Sequence, residues 1–317
     1  MNRIAFVLAL LASTTLNAAD DIPLSGVEGR IDHLGIDLVN QRLFVAALGN
    51  DTLEVIDLKS GQRSRSLKGF AKPQGVQYVP AANRLYVSNG KANRVDILDG
   101  TSLARIKSID GLEDADNIRY DVAAQKLYVA HEAGFRVLDA LSGESVGDIA
   151  VPGHPESFQL EKSGTRIFAN LPSRKNISVV DRVKGSVIAT WELDGASGNY
   201  PMALDEERRR LFVGTRNPAA LLIYDTDTGK VIGRHAVGGD TDDLFFDAES
   251  KRIYVICGEG VVNVLRQEDA NRYAMDSTVK TRAGARTGLF VPELRTLFVA
   301  ARAADASLAT IKVMPLR

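Results

Sequence analysis

The residue types best suited to chemistry lie in six short segments, each of which leads into an apolar run. The segments read GRIDHL (29–34), DADNIR (114–119), GHPESF (153–158), GNYPM (198–202), DTDDLF (240–245) and GARTGLF (284–290). Their polar residues differ from one segment to the next, which is typical of a binding site built from loops. The candidate ligand-binding residues are Arg30, Asp32, His33, Asp116, Asn117, Glu156, Asn199, Asp242, Asp243 and Arg286.

Carboxylates and amide carbonyls in this set are the ligands that a hard cation prefers. Ca²⁺ takes about 6–8 oxygen ligands. The candidate metal ligands are Asn117, Glu156, Asn199 and Asp242, with Asp243 as an alternative to Asp242. A cation held there would polarise a carbonyl group or activate a water molecule. A divalent cation such as calcium is therefore a candidate cofactor.

The same segments also suggest acid–base chemistry. His33 directly follows Asp32, so the candidate general base is His33 with Asp32 as its orienting partner. Glu156 is a third candidate catalytic residue, and Arg30 and Arg286 suit an anionic substrate. The alternative is structural, with these side chains capping strand ends or forming Asp–Arg bridges between neighbouring units. His131, His154 and His235 have no recurring partners and are expected to be surface or core residues.

A seven-fold repeat supplies the elements that must position these segments. A basic or polar residue, an aliphatic, an aromatic and then Val or Ala recur from Arg42, Arg84, Lys126, Arg166, Arg210, Arg252 and Thr296. Successive starts are 42, 42, 40, 44, 42 and 44 residues apart. A period in this range indicates a repeat architecture in which each unit packs on its neighbours.

Each repeat predicts four antiparallel strands. An alternating apolar run, such as Leu34 and Ile36, precedes the aromatic strand and reads as a half-buried inner strand. A third strand ends in Asp57, Asp99, Asp139, Asp181 or Asp225, and in four of these five repeats a Gly follows four residues later. That spacing indicates a hairpin turn with a structural Asp. A fourth strand ends in an aliphatic-x-Gly sequence. Four strands in each of seven repeats predict an all-β, seven-bladed β-propeller.

The two ends of the chain predict how this propeller closes. The last repeat stops after its third strand, LATIKVM (308–314), and the missing fourth-strand sequence appears near the other end as IPLSG (22–26). The N-terminal strand is therefore expected to complete the last blade, which removes open sheet edges. Residues 20–317 are predicted to form this one domain.

The first residues predict an exported protein. Arg3 precedes an apolar stretch at 4–12 and a small-residue exit at 17–19, as in a secretory signal peptide covering 1–19. The expected location is the periplasm or the medium. No later segment reaches the ~18 apolar residues of a membrane helix, so no membrane span is expected.

The amino-acid composition limits the classes of partner that the chain is expected to bind. The 39 Lys and Arg against 40 Asp and Glu give a net charge of −1, which is no strong signal for a nucleic-acid partner. Binding to nucleic acid or to the envelope surface would need a local basic patch. Cys257 is the only cysteine, so no internal disulfide can form.

The repeat also carries a family resemblance. YVSN (86–89), followed by RVDILDGTSLARIKSIDG (94–111), resembles the repeat of the YVTN, or YncE-like, β-propellers. The resemblance covers essentially the whole chain after the predicted signal peptide. It implies an exported bacterial protein of about seven blades and names no substrate.

Two functions stay open at this point. One is a periplasmic binding or scaffold protein, expected to be a monomer, whose polar channel mouth takes a small ligand, an ion or part of an envelope protein. The other is a metal-assisted hydrolase of the lactonase type, since the residue types are similar to those of sugar-lactone hydrolases built on propellers.

Overall fold

The computed structural model describes residues 21–316, so the predicted signal peptide lies outside the described residues. These residues form seven four-stranded antiparallel sheets. In the described part of the chain, no helix has the length and apolar character needed to cross a membrane. The predicted seven-bladed propeller with four strands per blade is confirmed.

The strands follow one another from the inside of each blade to its outer edge. The first strand, β1 (Ile22–Leu24), belongs to the last blade. Blade 1 contains β2 (Leu34–Asp37), β3 (Arg42–Ala47), β4 (Thr52–Asp57) and β5 (Gln62–Leu67). Blade 2 contains β6 (Pro73–Val79), β7 (Arg84–Asn89), β8 (Arg94–Asp99) and β9 (Arg105–Asp110). Blade 3 contains β10 (Ile118–Asp121), β11 (Lys126–His131), β12 (Gly134–Asp139) and β13 (Ser145–Ala150).

The remaining blades follow the same order. Blade 4 contains β14 (Phe158–Leu160), β15 (Arg166–Leu171), β16 (Asn176–Asp181) and β17 (Ser186–Glu192). Blade 5 contains β18 (Ser197–Asp205), β19 (Arg210–Asn217), β20 (Ala219–Asp225) and β21 (Val231–Ala236). Blade 6 contains β22 (Thr241–Asp247), β23 (Arg252–Cys257), β24 (Val261–Gln267) and β25 (Tyr273–Lys280). Blade 7 contains β26 (Thr287–Val291), β27 (Thr296–Ala301) and β28 (Ala309–Pro315). Single 3-10 turns lie at Leu48–Asn50, Pro80–Ala82, Pro172–Arg174 and Pro292–Leu294.

The N-terminal strand closes the ring as predicted. In blade 7, β1 pairs antiparallel with β28, with Ile22 opposite Ile311 and Leu24 opposite Ala309. One sheet therefore joins the two ends of the described chain, and its outer strand comes from the opposite terminus to its other three strands.

The apolar core lies between the blades. The aromatic residue of each repeat is buried in the second strand: Phe44, Tyr86, Tyr128, Phe168, Phe212, Tyr254 and Phe298. Each hydrophobic cluster combines residues of two adjacent blades, as where Phe168 of blade 4 packs with Leu211 of blade 5. Burying an aromatic side chain is worth about 1.5–3 kcal/mol relative to leaving it exposed. The repeated aromatic therefore fixes each sheet to its neighbour.

The hairpin aspartates are structural, as the repeat predicted. In blade 3 the Oδ1 atom of Asp139 accepts hydrogen bonds from the backbone N–H groups of Leu141 at 3.1 Å and Ser142 at 2.7 Å. The Gly143 N–H then donates to the Asp139 carbonyl at 2.8 Å, with a φ of +71°. Blade 2 builds the same turn without glycine, because Leu103 takes that place with a φ of +60°.

The inner strands form a closed ring and set the position of the polar segments. Each of β2, β6, β10, β14, β18, β22 and β26 contacts the inner strands of the blades on either side. The polar segments precede or begin these strands, so they gather at one end of the central channel. We call this end the mouth.

Candidate functional site

His33, just before β2, lies among three carboxylates at the mouth. Its Nδ1 atom is 3.4 Å from Asp243 Oδ2, and its Nε2 atom is 3.9 Å from Asp116 Oδ1 and 4.0 Å from Asp32 Oδ1. Burial alone would lower the pKa of His33, but the negative charges of these neighbours outweigh it and raise the pKa to about 10. The ring therefore carries a positive charge at neutral pH and joins three blades.

Asn117 contacts His33 from blade 3. Its Nδ2 atom lies 2.9 Å from His33 Nε2 and donates to the carbonyl of Glu156 at 2.9 Å. The first contact suits a neutral ring, whereas the surrounding charge favours the protonated one. Asn117 Oδ1 is buried without a hydrogen-bond partner among residues 21–316. With the ring charged, we favour the amide turned so that Oδ1 accepts from Nε2–H, which gives up the bond to the Glu156 carbonyl.

Two arginines neutralise the carboxylates on the blade 5 to 7 side of the mouth. Arg286 places Nε 2.9 Å from Asp242 and Nη1 2.9 Å from Asp240. Arg216 Nη2 lies 2.8 Å from Asp242 and 3.2 Å from Asp240, and its guanidinium lies 3.7 Å from the centre of the Tyr200 ring. This half of the mouth is a network of paired charges, which matches the structural alternative of Asp–Arg bridges.

Arg30 extends this network to blade 1. Its Nη2 atom is 3.3 Å from both carboxylate oxygens of Asp32 and 4.0 Å from Asp242. Burial raises the pKa of Asp242 to about 6, although Arg286, Arg216 and Arg30 oppose that shift. Arg216 was missed by the sequence analysis because it follows the aromatic pattern of β19 instead of preceding an inner strand.

The blade 3 to 4 side of the mouth holds a different group. Asp116, His154 and Glu156 each offer a ligand atom, and these three atoms lie within 4.8 Å of one another. His154 Nε2 is 3.4 Å from Asp116 Oδ2, and Nδ1 is 3.6 Å from Glu132 Oε2. His154 was predicted to be a surface or core residue, whereas it lies beside Asp116 and Glu156 at the mouth. Its place two residues before Glu156 in the same segment was the signal that would have included it.

Glu156 differs from the carboxylates of the arginine network. Burial and the nearby charge of Asp116 raise the pKa of Glu156 to about 7, against the opposing effect of His154. Asp242 and Asp32 also act on this pKa. Side chains of blades 1, 3 and 6 do approach one another at the mouth, since His33 lies 3.9 Å from Asp116 and 3.4 Å from Asp243.

Asn199 does not join this group. It is buried in β18, where Nδ2 donates to Asn170 Oδ1 at 3.0 Å and to the carbonyl of Asn176 at 2.8 Å. These bonds hold blade 5 to blade 4. The predicted calcium ligands Asn117, Glu156, Asn199 and Asp242 are therefore not assembled as a set, because the amides bind neighbouring protein groups and Asp242 binds arginines.

Arg119, the last residue of the DADNIR segment, is a further charge in the channel. Burial lowers its pKa below the ordinary arginine value, while Asp243 and Asp116 oppose this change. Its guanidinium lies 5.5 Å from the centre of the Phe158 ring, and Nη1 donates to the carbonyl of Ile118 at 3.0 Å. Arg119 and His33 thus both act on Asp116 as positive charges.

Comparison with solved structures identifies the architecture. Hydrazine synthase of Kuenenia stuttgartiensis is similar over 87% of this chain and 95% of that one, with a TM-score of 0.76 and 16% identity. A chain of a mitotic checkpoint complex is similar over 99% of this chain and 100% of that one, with a TM-score of 0.74 and 15% identity. At these identities the likeness shows the seven-bladed fold alone.

Comparison with known sequences assigns the chain to no family. No protein-family model matches the chain, and no curated protein matches it. Function must therefore be argued from the mouth itself.

Proposed function

We propose that this chain is an exported binding protein that takes a small polar ligand or ion at the mouth of its propeller. The observation that carries the proposal is the meeting of blade-specific side chains around His33 and Glu156. Repeated residues suffice to build the blades, whereas these residues differ between blades and approach one another across the channel entrance. The resemblance of the repeat to the YVTN propellers and the predicted signal peptide support a periplasmic location.

An unsatisfied polar atom favours binding over a purely structural role. Asp116 is 6% exposed. Asp116 Oδ1 has no hydrogen-bond partner in the described chain. Leaving a buried acceptor unpaired costs about 1–3 kcal/mol, and a bound ligand would supply the missing partner.

Native mass spectrometry of protein purified from a periplasmic extract tests this proposal. We expect a bound small molecule or ion whose adduct mass persists under mild conditions. His33→Ala and Glu156→Gln together should abolish it, whereas Asp225→Asn, in a hairpin turn, should leave it unchanged. A wild-type protein with no adduct, and with no thermal shift across a panel of polar metabolites and metal salts, would remove the proposal.

A metal-assisted hydrolase is the second candidate. The observation that favours it is the pairing of His33 Nδ1 with Asp243 at 3.4 Å, while Nε2 faces Asp116 and the mouth. Because the raised pKa keeps this ring protonated at neutral pH, His33 would act as a general acid and not as the general base expected from the sequence. A lactone panel assayed with and without added metal tests it. Turnover that depends on His33 would support the hydrolase, and the same negligible rate in wild type and His33→Ala would reject it.

A further inference from the structure

Asp116, His154 and Glu156 stand apart from the rest of the mouth. Asp116 precedes β10, and His154 and Glu156 precede β14, so two adjacent blades supply three ligand-type atoms within 4.8 Å of one another. The carboxylates of the opposite side, Asp240 and Asp242, each face two arginines at 3.2 Å or less. None of the described arginines or lysines forms a salt bridge with Asp116 or Glu156.

We propose that Asp116, His154 and Glu156 bind a divalent transition-metal ion of the zinc class. The inference rests on the proposed function in placing a ligand at the mouth, and it names one ion and its protein ligands. With both carboxylates ionised and the imidazole neutral, the three ligands would carry a charge of about −2, which such an ion neutralises.

A second observation points to a ligand at this cluster. Asp116 is 6% exposed, its Oδ1 atom has no hydrogen-bond partner within residues 21–316, and its Oδ2 atom faces His154 Nε2. A buried carboxylate oxygen without a donor is a costly arrangement. Oδ1 lies 3.9 Å from His33 Nε2, beyond hydrogen-bond distance, so an ion held by Asp116, His154 and Glu156 would give the Asp116 carboxylate the close partner that it lacks.

The geometry of His154 suits coordination through Nε2. Nε2 lies 3.4 Å from Asp116 Oδ2, close to the ~3.3 Å that separates two ligands of a tetrahedral ion with bonds of about 2.0–2.1 Å. Nδ1 lies 3.6 Å from Glu132 Oε2, which is too long for a hydrogen bond, and it is buried without a hydrogen-bond partner in the described chain. Coordination through Nε2 would place the ring proton on Nδ1.

The ligand types in the cluster favour a transition metal over calcium. An imidazole nitrogen with two carboxylates suits zinc, manganese or cobalt, whereas calcium prefers about 6–8 oxygens. Three protein ligands also leave a coordination position for water or for a polar ligand. Positive charge from His33, 3.9 Å from Asp116, opposes the ion, so affinity should rise when that charge is removed.

Isothermal titration of the untagged protein after chelator treatment tests the site with zinc, manganese and calcium chlorides. We expect one zinc ion per chain and weaker calcium binding. His154→Ala should weaken zinc binding by at least about 100-fold, which is the upper end of the loss expected for an outer-shell partner. The matched control is His235→Ala, since His235 lies in outer strand β21 against Tyr273.

Several results would overturn the site. Zinc binding equal in wild type and His154→Ala, tighter calcium than zinc binding, or no binding of any of the three metals would each do so. If no metal binds, His154 would be a structural residue, a charged imidazole near the carboxylates of Asp116 and Glu132. Thermal unfolding of the metal-free variants checks that each is folded, and Glu156→Gln supplies a second test if His154→Ala is not.

The outcome separates this inference from the proposed function. A ligand adduct that persists in His154→Ala, with no zinc binding in wild type, would reject the metal site and retain the binding protein. Zinc binding with no other ligand would retain the metal site and restrict the proposed ligand to the ion itself.

Discussion

The hairpin turns and the channel mouth use the same acidic side chains in opposite ways. In the turns, backbone N–H groups hold exposed carboxylates, and these hydrogen bonds lower the pKa of Asp99 and Asp139. At the mouth, burial and neighbouring carboxylates raise the pKa of Glu156 to about 7 and burial raises that of Asp242 to about 6. The surroundings of the turn carboxylates stabilise their charged form. The surroundings of Glu156 and Asp242 at the mouth destabilise it.

This difference distinguishes the residues that build the blades from the residues of the candidate site. The turn aspartates recur in five blades and each satisfies its own turn, so their bonding is complete without a ligand. The mouth carboxylates occur once each, and their bonding is incomplete where Asp116 presents an unpaired oxygen. Repetition indicates structural residues here, and variation between repeats indicates the candidate site.

The largest expected effect comes from removing the cation at the centre of the mouth. His33→Ala leaves Asp243, Asp116 and Asp32 without their shared positive charge, so the free energy of unfolding should fall by about 3–5 kcal/mol. Urea unfolding in the presence of a chelator measures it, with His235→Ala as control. Because the pKa of His33 is raised to about 10, the difference should be full below pH 6.5 and vanish as the pH rises through 10. A loss equal to that of the control would contradict this assignment.

A smaller effect of opposite sign is expected at Glu156. Its pKa of about 7 lies above the ordinary 4.5, so its ionisation costs stability increasingly from pH 4.5 to 7 and fully above 7. Glu156→Gln should therefore stabilise the metal-free protein by about 1–3 kcal/mol at pH 8 and by almost nothing at pH 4. Glu113→Gln, which changes an exposed carboxylate, is the matched control. A variant less stable than wild type at pH 8 would show that Glu156 has a protein partner.

The smallest effect is expected in the hairpins. Asp225 accepts from the N–H groups of Asp227 and Thr228 at 3.1 and 2.9 Å, and from Arg210 at 2.7 Å. Asp225→Ala should cost about 1 kcal/mol. Hydrogen bonds lower the pKa of Asp225 despite the opposing effect of burial, so this contribution should disappear as the pH falls below 3.8. A change in zinc binding in this variant would break the distinction between scaffold and site.

The fold could be predicted from the sequence because every blade is built from the same pattern of residues. The aromatic residue of the second strand, the turn Asp and the following Gly recur at a nearly fixed period, and each has a local physical role. Closure was also predictable, since the strand missing after residue 314 appears at Ile22–Leu24.

The location of the candidate site could be predicted from the sequence better than the residues that form it. Proximity to the inner strands placed Asp32, His33, Asp116 and Glu156 at the mouth, whereas the direction of a side chain depends on local backbone and packing. Asn199 turns into the junction with blade 4, and His154 turns toward Asp116. Neither orientation follows from spacing, because adjacent residues of a strand face opposite ways.

Anomalous diffraction at the zinc absorption edge, from crystals of the zinc-treated protein, tests most directly whether the variable segments build one cation site. The account predicts a single strong peak within about 2.0–2.2 Å of Asp116, His154 Nε2 and Glu156. A peak elsewhere on the protein, or a mouth without one under saturating zinc, would contradict it.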